Sequence, residues 1–279
     1  MSETRTHGTP RTRAAATTTP RTAPRRTPPG ALRRLTLVEG RLLLRDRGTA
    51  FFGLLFPGIL LTALGLVMPW ADQPFDPDDP VLGRVTAITA YAPIVLTLAI
   101  GTAALSTFPT VLGTYRDKGV LRRLSTTPVP PAFVLVAQLL VALASILVAS
   151  ALAVVLGAVV LGITLPSRPL LVALAFVLGA TSALAVGCLI AARARTAGAA
   201  TAAGMAAWVA SMFFAGVWLP LPLMPEVVRV ISAWTPVGAA SQAMASGWYG
   251  DGVPLQELLV MAAWTLVCVP VAARTFRWA

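Results

Sequence analysis

The sequence contains no asparagine, a single lysine (Lys118) and a single histidine, His7. One histidine, set among the threonines and arginines of residues 1–30, cannot build a histidine metal site or a His-based acid–base pair. The two cysteines, Cys188 and Cys268, both lie inside apolar runs, so they read as small packing residues and not as a disulfide framework. Acid is scarce too: eleven Asp and Glu in 279 residues, none in the interior of a long apolar run. That removes the converging carboxylates of a membrane protease or hydrolase. It also removes the ionisable groups at depth on which ion-driven carriers depend. No Gly-x-x-x-x-Gly-Lys-Ser/Thr segment occurs, so the sequence carries no phosphate loop. On these absences the chain is not an enzyme, and any ATP it uses is hydrolysed by another polypeptide.

What is abundant is apolar. Hydrophobic residues make up 56% of the chain and charged ones 12%, about half the charged share of a soluble domain. This is the composition of an all-α, polytopic membrane protein. A formal charge of +11 would point to nucleic acid if spread over a folded surface, but here the cations are sorted along the chain, and no nucleic-acid partner is expected. Abundant arginine and alanine beside so little lysine and asparagine is read as a high-G+C bacterial source.

Residues 1–30 are rich in Thr, Arg, Pro and Ala without apolar periodicity, and are expected to form a disordered basic cytoplasmic tail. No apolar h-region follows the early arginines, so no signal peptide is expected. From Ala31 to Arg47, Leu32, Leu35, Val38 and Leu42 alternate with Arg33, Arg34, Glu39, Arg41, Arg45 and Arg47. This is the spacing of an amphipathic helix lying on the membrane face, leucines toward the acyl chains and charges at the headgroups. Roughly twenty apolar residues cross ~30 Å of hydrocarbon. By that measure residues 31–279 form one transmembrane domain with six spans, at about 49–68, 85–113, 132–165, 169–192, 196–219 and 255–273. Pro93 and Pro109 predict kinks in the second span. The stretch 220–254 predicts two short outer-face helices that can re-enter the membrane, with Trp218, Trp234 and Trp248 at the interface.

Nineteen of the 22 cations fall in the tail, the first amphipathic helix, the 115–128 stretch, the fourth-to-fifth loop and the C-terminus. Only Arg84, Arg168 and Arg229 fall on the other side. Because Arg and Lys of short loops collect in the cytoplasm, both termini and the 115–128 stretch are expected inside a bacterial cell membrane. Gly179, Ala183 and Gly187 recur every four residues, as do Ala200 and Gly204, marking either a dimer seam or internal helix packing. Gln138, Thr97, Thr102, Ser145 and Ser150 are polar residues within spans, open to hydrogen-bonding a cargo or a neighbouring helix.

Two segments carry a resemblance. One is Tyr-Arg-Asp-Lys-Gly-Val-Leu-Arg-Arg-Leu-Ser-Thr-Thr-Pro at 115–128; the other is Phe-Phe-Ala-Gly-Val-Trp-Leu-Pro-Leu-Pro-Leu-Met-Pro-Glu at 213–226. With the amphipathic first helix and six spans, the chain from Ala31 onward resembles the permease subunit of an ABC-2 type transporter, close to the daunorubicin-resistance drug-export branch. Lys118, Gly119, Leu121, Arg123, Leu124 and Pro128 match that family's central signature, whereas Asp117 stands where glutamate is frequent.

The resemblance implies that Arg116, Asp117, Lys118, Gly119, Leu121, Arg122, Arg123 and Leu124 form a coupling helix seated in a cytoplasmic ABC ATPase. Leu35, Val38, Leu42 and Arg45 of the interface helix would be a second contact. It further implies two ATPase copies carrying ATP and Mg, a second permease copy, surrounding lipid, and export of a hydrophobic or amphiphilic compound such as a drug, antibiotic or lipid-like molecule. A non-transporting membrane scaffold that uses the same stretch to recruit a partner is the alternative.

Overall fold

The computed structural model describes residues 30–120, 123 and 132–275. The first helix, α1 (Ala31–Arg45), is not a span. Six helices are long and apolar enough to cross a membrane: α2 (Arg47–Val67), α3 (Ala87–Asp117), α4 (Ala132–Leu161), α5 (Pro169–Arg193), α6 (Ala197–Phe214) and α9 (Leu255–Thr275). Between the last two lie the short helices α7 (Glu226–Ala233) and α8 (Pro236–Trp248). Among the described residues there is no strand beyond an isolated bridge between Pro74 and Thr86. One end of the bundle carries α1, the end of α3 and the α5–α6 turn, with most of the described arginines; we call it the basic end.

The centre is α3. Nearly every residue from Ala87 to Leu105 is buried, because α2, α4, α5, α6 and α8 all pack against it. Pro93 sits inside the helix without ending it, whereas Pro109 has a visible effect: the six residues before the Phe108–Pro109 pair, Thr102–Thr107, form a π turn. Pro109 has no N–H to return to the carbonyl of Leu105 and its ring crowds that carbonyl, so the helix widens there. The same pairing recurs in α2, where a π turn at Phe51–Leu55 precedes Phe56–Pro57.

The widened turn meets glycines. A Cβ on Gly204 of α6 would stand 2.5 Å from the Leu105 oxygen, and one on Gly187 of α5 would overlap the Ala104 oxygen. With hydrogen in place of a methyl, α5 and α6 approach α3 at two consecutive carbonyls. Gly179 faces Ala240 of α8, while Ala183 and Ala200 are fully buried. All five small residues are thus packed within one copy of the chain.

Three spans end four or five residues away from the sequence expectation. α3 continues through Tyr115–Asp117, whose side chains bond to other helices, and Gly119 then takes a positive φ, 64°. α4 ends at Leu161 because Gly162 turns the chain at φ 63°, and Ile163 N–H returns to the Gly157 carbonyl. α6 stops at Phe214, five residues early, as Gly216 at φ 85° reverses the chain.

The short α6 leaves room beside α3 that α8 fills. Gly247 packs on Val172 near the start of α5 and Ala240 on Gly179, so α8 runs inward from the far end by about 10 Å, at ~1.5 Å per residue. Its first half and the end of α7 meet the end of α6: Ser241 Oγ of α8 donates to Ala215 O at 2.8 Å and Ser232 Oγ of α7 to Phe214 O at 2.6 Å. These hydroxyls satisfy carbonyls that a helix ending away from water would otherwise leave orphaned. Trp218 and Trp234 are exposed, as an interfacial pair would be. Trp248 instead faces the protein: it is 3% exposed and its indole N–H donates to Thr164 O at 2.8 Å, because α8 turns its last residue into the bundle.

The C-terminus of α8 is capped by a distant cation. Arg168 donates to the carbonyls of Ser246 and Gly250, and to Asp251 O at 3.3 Å, placing positive charge where the helix dipole is negative. Arg168→Ala should cost about 2 kcal/mol, the scale of losing charge-assisted bonds to partly buried carbonyls. A lowered melting temperature of the detergent-solubilised protein would show it, with Arg229→Ala as the unaffected control.

Candidate functional site

The site is the last turn of α3 and what it holds at the basic end. Consecutive helical residues point ~100° apart, so three in a row can reach three different neighbours. Tyr115, Arg116 and Asp117 do so. Tyr115 OH donates to Glu39 Oε2 of α1 at 2.5 Å. Arg116 Nη1 donates to the carbonyl of Ala191, at 3.0 Å, and to that of Ala194, both at the C-terminal end of α5. Asp117 Oδ2 accepts from the Ala197 N–H, the first of α6, at 2.8 Å.

The charges suit the helix ends they meet. Arg116 lies against the negative end of α5 and Asp117 against the positive end of α6. With Thr196 Oγ1 accepting from the Ala199 N–H at 3.1 Å, two of the orphan donors of α6 have side-chain partners. Nearby, Gly113 of α3 is so close to α6 that a Cβ there would stand 2.7 Å from Ala200 Cβ.

Glu39 is a residue the sequence reading misplaced. Its spacing predicts a place on the charged face of the amphipathic helix; it is 6% exposed, the one charged side chain buried among the described residues. The face of α1 turned to α4 is made of Leu32, Leu35, Thr36, Glu39 and Leu43, and Gln138 Nε2 of α4 also donates to Glu39 Oε2, at 2.6 Å. Burial raises the pKa of this carboxyl above its ordinary value of 4.5, against the two hydrogen bonds, which lower it. The available signal was its isolation: one acid in a helix otherwise charged only by arginines. Leu35 is half-buried, while Val38, Leu42 and Arg45 face outward.

Beyond α3, Lys118 is exposed and Gly119 breaks the helix; Arg123 N–H then donates to the Gly119 carbonyl at 3.0 Å, one helical turn on, with the Arg123 side chain exposed. Leu121, Arg122, Leu124 and the 125–131 segment lie outside the described residues, as do the tail at 1–29 and Arg277. The polar residues of the spans turn to protein groups: Thr97 to Ile94 O, Thr102 to the Trp208 indole N–H, Ser145 to Val141 O and Gln138 to Glu39. Ser150 Oγ is buried without a partner. Among the described residues no group of His, Cys, Asp and Glu is placed to hold a metal.

The sequence model of the ABC-2 type transporter family matches residues 32–249, from the second residue of α1 to just past α8. The chain belongs to the ABC-2 type transporter family. No individual curated protein matches it. Membership makes this multi-pass chain a membrane component of transport, associated with lipid and with a cytoplasmic ATPase subunit. In this ABC-2 membrane domain, the last turn of α3, the amphipathic α1 and the α5–α6 turn come together at the basic end.

Proposed function

We propose that this chain is the permease subunit of an ATP-driven exporter, and that its basic end is cytoplasmic. The observation that carries this is the placement of the charged stretch. The residues just ahead of that stretch form a turn of α3 bonded to α1, α5 and α6, and Lys118 and Arg123 are exposed. Such a stretch offers a partner an apolar anchor from Leu121 and Leu124 and a cationic rim from Lys118, Arg122 and Arg123.

ATP and Mg are held by the ATPase subunit, of which two copies serve two permease copies in a bacterial cell membrane with both chain termini inside. Between their ends the described spans carry no ionised side chain, which supports a hydrophobic or amphiphilic cargo of the drug, antibiotic or lipid-like kind. The test is co-purification of the cognate ATPase with Leu121→Asp plus Arg123→Glu. Loss of an anchor and inversion of a charge should weaken docking by at least about tenfold while the permease still inserts. Undiminished docking and lipid-stimulated hydrolysis would place the ATPase contact elsewhere.

A further inference from the structure

We propose that Arg116 and Asp117 are positioning residues that make the α5–α6 turn follow the movement of the charged stretch behind them. The inference rests on the reading of that stretch as the ATPase contact, and adds what its displacement does. α3 is a continuous helix of 31 residues, so a push at its basic end is delivered to the last turn before it reaches the core. That turn grips both sides of the α5–α6 connection: Arg116 holds the closing carbonyls of α5 and Asp117 the opening amide of α6.

Only the residues from Ala194 to Thr196 separate these two helices, so bonds to both leave the connection no slack. The grip continues into the bundle. Gly113 against Ala197 and Ala200, and the Ala104 and Leu105 carbonyls against Gly187 and Gly204, are backbone-close contacts that resist sliding of α5 or α6 along α3. The walls of the cleft between α5 and α6, formed by Leu189, Ile190, Arg193, Ala199 and Ala203, are therefore set from the end of α3.

The experiment is hydrogen exchange of the 190–200 segment in the full permease–ATPase complex in lipid nanodiscs, free and trapped with Mg-ATP and vanadate. Wild type should show a nucleotide-dependent change in this segment. In complexes that carry the ATPase, Arg116→Ala plus Asp117→Ala should lose that change. A merely structural role would raise exchange in both states and leave their difference intact. Asp117→Asn, whose amide oxygen still accepts from the Ala197 N–H, should restore the response.

A nucleotide-dependent change that persists in the double alanine variant, or is absent from wild type, overturns the proposal. So does release of the ATPase by the double variant, which would make these residues part of the docking contact itself. Failure of the docking reading shows separately, as retention of the ATPase by Leu121→Asp plus Arg123→Glu.

Discussion

Gly187→Ala should prevent stable assembly of the bundle, while Gly198→Ala should strengthen it. The added methyl at Gly187 overlaps the Ala104 carbonyl oxygen, with the Phe108 ring 3.6 Å away, and the obstructing atom is backbone. An overpacked core costs about 1–3 kcal/mol when side chains can yield; a carbonyl in the middle of a buried helix cannot rotate aside, so more than ~3 kcal/mol is expected. The substitution parts α5 from α3 at the level where α6 also closes on the π turn. Gly198, in the first turn of α6, has nothing within 4 Å of its added Cβ. There alanine only reduces the freedom of the unfolded chain and should stabilise by about 0.4–1 kcal/mol. Thermal unfolding followed by size-exclusion recovery in detergent separates the two. Equal recovery of both variants would show that α5 does not need the close approach to α3.

Glu39→Ala should be the most damaging change at the basic end, and Glu39→Gln nearly silent at low pH. Alanine leaves the Tyr115 hydroxyl and the buried Gln138 amide without their acceptor, at about 1–3 kcal/mol for each group left unsatisfied. A glutamine carbonyl oxygen keeps two lone pairs and can accept both bonds, since both end on the same carboxylate oxygen. The pH dependence has a definite sign. A carboxyl whose pKa is higher in the folded protein than in the unfolded chain adds stability that is full below the unfolded value, near 4.5. That stability is lost as pH rises through the folded value. Wild type should thus lose stability on going from acid toward neutral pH, and Glu39→Gln should flatten the slope. Asp46 and Asp79 cannot produce this trend: hydrogen bonds hold both below their ordinary 3.8, so their contribution appears as pH rises and is complete before this window. Identical slopes for wild type and Glu39→Gln would remove Glu39 from the account.

Local signals made much of this architecture legible. Six apolar runs of spanning length need no partner to be recognised, because each must satisfy its own backbone in lipid. The expected span starts agree with the helices to within a few residues, since runs begin where charge or proline stops them. Ends were less legible at Tyr115–Asp117, where a polar sequence continues a helix that tertiary bonds complete. The expected polar face fails at Glu39, and Trp248 is buried within the bundle, for one reason. Their partners lie 76 and 99 residues away for Glu39, and 84 away for Trp248.

By itself, then, the sequence determined that this protein is a helical membrane protein with its cations gathered at one side and a charged stretch between the second and third spans. Hydropathy and charge are properties of consecutive residues, and lipid reads them directly. Only the tertiary structure decided that α3 is the centre, that small residues are spent on packing one copy, and that Tyr115, Arg116 and Asp117 each bind a different helix. Those outcomes depend on which distant carbonyls and amides a side chain meets, and periodicity along the chain carries no information about that.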